Sequence, residues 1–161
     1  MKFTTILSLL AISTAAFAAK RPDGGPDGIY VEIEHDNGTT TVQYYGKANH
    51  TEAGAFGKRA GVGPQCTSGS MSRSDIVEAQ GGLASFFGGG NAFYAKSVSN
   101  YHGGAVAFGC NYGKGQTMDA NTFNGFMGSV DGSCGDTQAG YYNHPDWKAS
   151  YGRTQSSSSF C

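Results

Sequence analysis

Four cysteines, Cys66, Cys110, Cys134 and Cys161, stand behind a start that reads as an export signal, and this pairing constrains the fold more than any other feature. Met1 and Lys2 give a short basic start, residues 3–17 are small or apolar, and Ala16-Phe17-Ala18 supplies the small residues a signal peptidase needs, with cleavage expected after Ala18. That run is too short to span a bilayer, and no later stretch is apolar for long enough. In an oxidising compartment four cysteines are expected to close two disulfides. Cleavage would leave roughly 140 residues, the size of one small domain.

Composition agrees with a compact secreted body. Only 14% of residues are charged, 26 of 161 are Gly, and 9 Tyr and 10 Phe provide core material. The net charge is −1, with no long Lys/Arg run, so neither nucleic acid nor an anionic membrane is an expected partner. Asn37-Gly38-Thr39 and Asn49-His50-Thr51 are glycosylation sequons, accepting at Asn37 and Asn49. Lys58-Arg59, inside a Gly/Ala-rich linker, is a candidate dibasic cut after Arg59. All four cysteines lie beyond it, which divides the chain into a signal (1–18), an N-terminal hairpin segment or pro-segment (19–59) and a disulfide-linked domain (60–161). An uncut surface loop is the other reading of that stretch.

Periodicity places the elements. Ile29, Val31 and Ile33 alternate with Tyr30, Glu32 and Glu34, and Asn37-Gly38 marks the turn of a hairpin over 28–45. A helix is expected over 72–87, capped by Ser72 and complemented by Asp75, with Gly81-Gly82 weakening its middle. Strands follow over 92–98 and 104–110, joined by residues 99–103. In the second, Val106, Phe108 and Cys110 share one face; the small Ala105, Ala107 and Gly109 on the other suit a closely packed helix. Phe123, Phe126, Met127 and Val130 define a second helix over 119–131, with Gly132 and Gly135 as stops. One or two short strands are expected in the tail from Gln138. The fold class is therefore α+β, two helices on a largely antiparallel sheet. The second helix covers roughly 18 Å at 1.5 Å per residue, too far for a 110–134 bridge. Cys66–Cys134 with Cys110–Cys161 is the expected pairing.

Catalytic chemistry is hard to find. Residues 60–161 hold only Asp75, Glu78, Asp119, Asp131, Asp136 and Asp146 as carboxylates, and most flank helix ends. His35, His50, His102 and His144 are scattered, with no metal-ligand spacing, and no cofactor motif occurs. No serine lies in a nucleophile elbow. The expectation is a monomeric non-enzyme that needs no cofactor. The tail from Ala139 to Thr154 concentrates aromatics, and Tyr141, Tyr142 and Trp147 are the candidate contact residues. The alternative use of those rings is to cover the sheet edge near Cys161.

Two resemblances follow from these residues. Ser72-Arg73-Ser74-Asp75-Ile76-Val77-Glu78-Ala79-Gln80 is similar to the helix of small fungal guanyl-specific ribonucleases. That family implies a Glu base, an Arg and a His acid on later strands; here no Glu follows the helix, and only Arg153 comes late in the chain. The order of a Cys, that helix, the strand Ala105 to Tyr112, an amphipathic helix, Cys134-Gly135, Ala139-Gly140-Tyr141, Ser150-Tyr151-Gly152-Arg153 and Phe160-Cys161 resembles fungal secreted effectors and elicitors. Its pattern is related to the necrosis-inducing effector family and the killer-toxin α/β sandwich, and it covers roughly residues 60–161. Ile76 stands where necrosis-inducing relatives usually carry a cysteine. This resemblance implies an extracellular, non-enzymatic protein that binds a host or competitor protein or glycan; an antimicrobial or killer-type toxin, or a secreted hydrolase on a ribonuclease-like fold, are the alternatives.

Overall fold

The computed structural model describes residues 19–47 and 63–161. Ala18, Asn49 and Arg59, and with them the export cut, the second sequon and the dibasic cut, lie outside the described residues. Strands β1 (Gly28–Glu34), β2 (Thr40–Gly46) and β3 (Pro64–Ser70) precede helix α1 (Arg73–Phe87). Then come β4 (Asn91–Phe93), β5 (Ser97–His102), β6 (Ala105–Asn111), β7 (Gln116–Met118) and helix α2 (Ala120–Cys134). β8 (Gln138–His144), a 3-10 turn at Pro145–Trp147 and β9 (Ala149–Gln155) complete the chain. Seven strands form one sheet in the order β2-β1-β5-β6-β9-β8-β3, every pair antiparallel, and β4 and β7 pair separately. Two helices on an antiparallel sheet with two disulfides is the expected architecture.

Both helices lie on one face of this sheet. The alternation along β6 explains why: Ala105 and Ala107 present no bulk, so α1 settles against β5 and β6. It comes close enough for the Asn100 amide to donate to the carbonyl of Ala79 at 2.9 Å. Ile76, Leu83, Phe87, Phe123, Met127 and Val130 fill the space between the helices and the sheet, with Tyr151 beneath them. Ile29 and Val31 of β1 belong to the same core, so the described part of 19–59 packs as one body with 63–161.

Several local expectations are corrected. β1 is buried on both faces, since Tyr30 and Glu32 are also covered. The hairpin turn at His35–Gly38 is where the sequence places it, the Gly38 N–H donating to the His35 carbonyl at 2.8 Å, but of Asn37 and Gly38 only Gly38 takes a positive φ, 77°. The expected strand over 92–98 is two strands in different sheets, and residues 99–102 continue β5 instead of looping. The turn is made by Gly103 (φ 52°) and Gly104, whose N–H donates to Asp75 at 2.9 Å. A Cβ at Gly103 would lie 2.7 Å from that carboxylate. Asp75 stands in the first turn of α1 as expected and serves the Gly103–Gly104 turn as well, while the Ser72 side chain makes no cap hydrogen bond, meeting Ser74 instead. α2 runs through Gly132 and stops at Gly135.

Asp119 caps α2, accepting from the Thr122 N–H at 2.9 Å and the Thr122 hydroxyl at 2.7 Å. These hydrogen bonds hold its carboxyl below the usual Asp range against a smaller opposing effect of burial. The folded state therefore favours the ionised form, and this contribution is present above about pH 3.9, the unfolded value, and lost as pH falls through the folded one. Asp119→Ala is expected to cost about 1 kcal/mol at neutral pH. Urea melts should show the gap between variant and wild type closing toward about pH 2.

Arg153, which is 1% exposed, joins the sheet to α2. Its guanidinium donates to Asp131, to the Gly135 carbonyl at 2.7 Å and, through Nε, to the Gln138 carbonyl at 2.9 Å. Asp131→Ala would leave a buried cation with carbonyl partners only, and a loss of about 3 kcal/mol is expected in chemical denaturation.

Candidate functional site

The sheet face opposite the helices is divided by the C-terminal segment. Ser156 N–H donates to the Gly104 carbonyl, and the chain then crosses the face to Phe160, whose ring stacks on Phe108 at 4.7 Å and 12°. The Cys110–Cys161 disulfide fixes this crossing from below, and Ala19 pairs with Phe160 in an isolated bridge. On the β1 and β5 side the face is closed by Tyr30, Tyr101, Val106 and Phe160. The Tyr101 hydroxyl accepts from the Arg21 N–H at 2.8 Å, and burial pushes its pKa up to about 12, so it stays a neutral phenol.

On the β9, β8 and β3 side the face stays open as a groove of about 500 Å³. Register decides what lines it. Phe108 pairs with Gly152 and Gly152 with Tyr141; Cys110 pairs with Ser150 and Ser150 with Asn143; Val106 pairs with Thr154. Phe108, Tyr141, Asn143, Ser150 and Thr154 therefore share this face, and Thr67, Ser68, Tyr112 and Ser158 frame it. The Tyr112 hydroxyl lies 3.2 Å from that of Ser150. Gly152 is required at the centre: a Cβ there would stand 2.5 Å from the Tyr141 Cβ and 2.8 Å from the Phe108 ring.

The groove is lined by rings, hydroxyls and an amide. Among the described residues Arg153 alone along it has a charged side chain, and its guanidinium is turned to the helix face, bound to Asp131, Gly135 and Gln138. Any ligand held here meets hydrogen-bonding groups that both donate and accept, and apolar ring surfaces, with no other charged side chain among the described residues of the lining.

The three candidate contact residues are not brought together. Tyr141 and Tyr142 are neighbours on β8, so their side chains leave opposite faces of the sheet. Tyr141 borders the groove. Tyr142 is buried on the helix side, stacked on Phe126 at 4.3 Å and 9°, and offers no contact surface. Trp147, 39% exposed, stacks on His144 at 3.8 Å beyond the end of β8. Asn37 lies at the exposed tip of the β1–β2 turn, its carbonyl oxygen accepting from the Thr39 N–H and hydroxyl. All four cysteines are paired, Cys66 with Cys134 and Cys110 with Cys161, as expected from the layout of helices and strands. Disulfides of this kind are typical of extracellular proteins.

A second, smaller cleft of about 190 Å³ collects Asp27, Lys47, Glu78 and His102 at the far end of β1 and β5. Both Asp27 oxygens are engaged, one by Arg21 at 3.2 Å and the other by the Gly103 N–H at 2.9 Å. Among the described residues no group of three His, Cys, Asp or Glu side chains could hold a metal ion, and no helix is long and apolar enough to cross a membrane. The chain matches no protein-family model, no curated protein and no solved structure.

The groove's sequence signals were partial. The paired faces of β6 identify Phe108, but Asn143, Ser150 and Thr154 join it only through strand partners that composition does not reveal. Because Cys110–Cys161 anchors the groove's wall, replacing both residues by Ser should release the Phe160 segment. Stability should fall by about 3 kcal/mol, and hydrogen exchange should rise selectively in residues 156–161.

Proposed function

We propose that this protein is exported and acts outside the producing cell by contact, as an effector or elicitor of the fungal secreted kind. The observation that carries this reading is the neutral groove, braced by Cys110–Cys161, on the sheet face that the helices leave free. General acid–base transfer needs a titratable group of suitable pKa within hydrogen-bond reach of the reacting atom. The groove's lining offers phenols, hydroxyls and an amide, which serve recognition better than turnover. A cut after Ala18 would leave Ala19 as the new N-terminus, its nitrogen still within hydrogen-bond distance, 2.9 Å, of the Phe160 carbonyl. Asn37 is the glycan acceptor we assign among the described residues, given its exposure at a hairpin tip.

A second reading draws on the smaller cleft. Glu78 and His102 beside Asp27 and Lys47 have the group types of a hydrolase, and a secreted hydrolase would work there, away from the groove. The two readings separate by mutation. Purified protein infiltrated into leaves, or applied to competing fungi, is expected to provoke a cell response or growth inhibition at micromolar dose. Tyr112→Ala combined with Asn143→Ala should weaken that response about tenfold, whereas Glu78→Gln and His102→Ala should leave it unchanged. A response lost with Glu78 or His102 and kept in the groove variant would overturn the contact reading in favour of chemistry. No response from any cell type would overturn both the elicitor and the toxin roles.

A further inference from the structure

We infer that the groove is a binding site for a short neutral carbohydrate chain. The inference rests on the contact role given to the groove and names the chemistry of what it contacts.

Charge excludes most other ligands. A phosphate, sulfate or uronate needs a cation to offset its desolvation, and a basic peptide needs an anion. Among the described residues the one cationic side chain along the groove, Arg153, is turned to the helix face and already matched to Asp131. A neutral polyol carries no such requirement. Its hydroxyls donate and accept at once, and side-chain hydroxyls and amides are the groups that answer both ways. Ser150 and Thr154 lie on the same face of β9 with Gly152 between them, so they stand about 13 Å apart along the strand. Asn143 sits beside Ser150 on β8.

Shape points the same way. Gly152 lets Phe108 and Tyr141 close in over the strand, and the exposed Tyr112 ring stands beside them at the groove's edge. A pyranose has one apolar C–H face and an equatorial fringe of hydroxyls, so it can lie against the exposed Tyr112 ring and the half-buried Tyr141 while its edge meets the half-buried Asn143, with Ser150 and Thr154 set deeper at the groove's base. The wall does not need ordering on binding, since Phe160 is stacked on Phe108 and tethered through Cys161. Preorganisation of this kind lowers the entropic cost of holding a flexible chain. A volume near 500 Å³ falls in the range of small-ligand sites, about 300–1,000 Å³. A standard protein partner would need about 800 Å² of surface on each side, more than this groove supplies by itself.

The probes are soluble oligomers of glucose, N-acetylglucosamine, mannose and xylose, with oligogalacturonate as the charged control, titrated calorimetrically into the intact disulfide-bonded protein. One neutral series is expected to bind saturably and the oligogalacturonate not to bind. Tyr112→Ala and Asn143→Ala, each checked for native folding by circular dichroism, should each weaken binding about tenfold. Tyr112 is 56% exposed, so its truncation leaves the core intact. Trp147→Ala, outside the groove, should bind as wild type. Absence of binding by every neutral oligomer at millimolar concentration overturns the inference, as does binding that neither groove variant weakens. Retention on cell walls separates the two levels. Loss of retention after periodate treatment of the walls supports the carbohydrate. Loss after protease treatment alone, still dependent on Tyr112 and Asn143, overturns the carbohydrate while keeping the groove as the contact surface.

Discussion

The buried guanidinium of Arg153 is the contact on which the arrangement of helices and sheet depends. A fully desolvated cation is tolerable only if its donors are satisfied, and here a carboxylate and two carbonyls satisfy them. One of those carbonyls belongs to Gly135 at the end of α2, where helix carbonyls lack intrahelical partners and the helix dipole favours a positive charge. The same side chain thus closes a helix, neutralises Asp131 and ties the start of β8 to β9. Arg73 adds a second, more exposed contact to Asp131 at 3.4 Å and to the Asp136 carbonyl at 3.0 Å. Cys66–Cys134 then fastens the edge strand β3 to the end of the same helix. Edge strand, helix terminus and penultimate strand pair are held at a single corner.

That corner also sets the chemistry of the opposite face. In a β-strand the parity of a residue decides its side, so the register that sends Arg153 toward α2 necessarily sends Ser150, Gly152 and Thr154 the other way. A slip of one residue would bring the cation into the groove and push two hydroxyls into the core. The groove's neutrality follows from the register of β9, which Arg153 itself helps to fix. The tail segment completes the division, sealing the half of the open face where Tyr30 and Tyr101 lie and leaving the other half free.

Much of this was legible in particular residues. The small face of β6 announced a close helix, the spacing of Phe123, Phe126, Met127 and Val130 announced α2, and the length of α2 excluded a 110–134 bridge. β3 was not legible, because Pro64 to Ser70 has no apolar alternation: it is an exposed edge held by backbone pairing to β8, with a register shift, and by Cys66. The region after α1 misled for a related reason. Residues 92–98 look continuous, yet Phe93 pairs with Gln116 in the small sheet while Val98 pairs with Val31 and Gly109 in the large one. Adjacency in the chain makes Tyr141 and Tyr142 look like one aromatic patch, whereas the pleat parts them. Local pattern reports which residues share a strand face; it does not report which strands become neighbours, and the groove is made by neighbours.

The two clefts show how a small domain can keep ionic side chains and an uncharged groove apart. Asp27, Lys47, Glu78 and His102 gather where α1 meets the ends of β1 and β5, within reach of solvent and of one another's screening. The groove lies across β9 and β8, beyond the Phe160 wall, and takes its polarity from hydroxyl and amide side chains. Affinity in such a groove should depend little on ionic strength, because no screened charge pair contributes to it. It should depend instead on how rigidly rings and hydroxyls are held, and that rigidity comes from Gly152, the Phe108–Phe160 stack and the Cys110–Cys161 bond acting on one another. Oxidation of the cysteines is then a condition for the groove's shape as well as for stability, since the residue that closes the second disulfide directly follows the ring that forms the groove's wall.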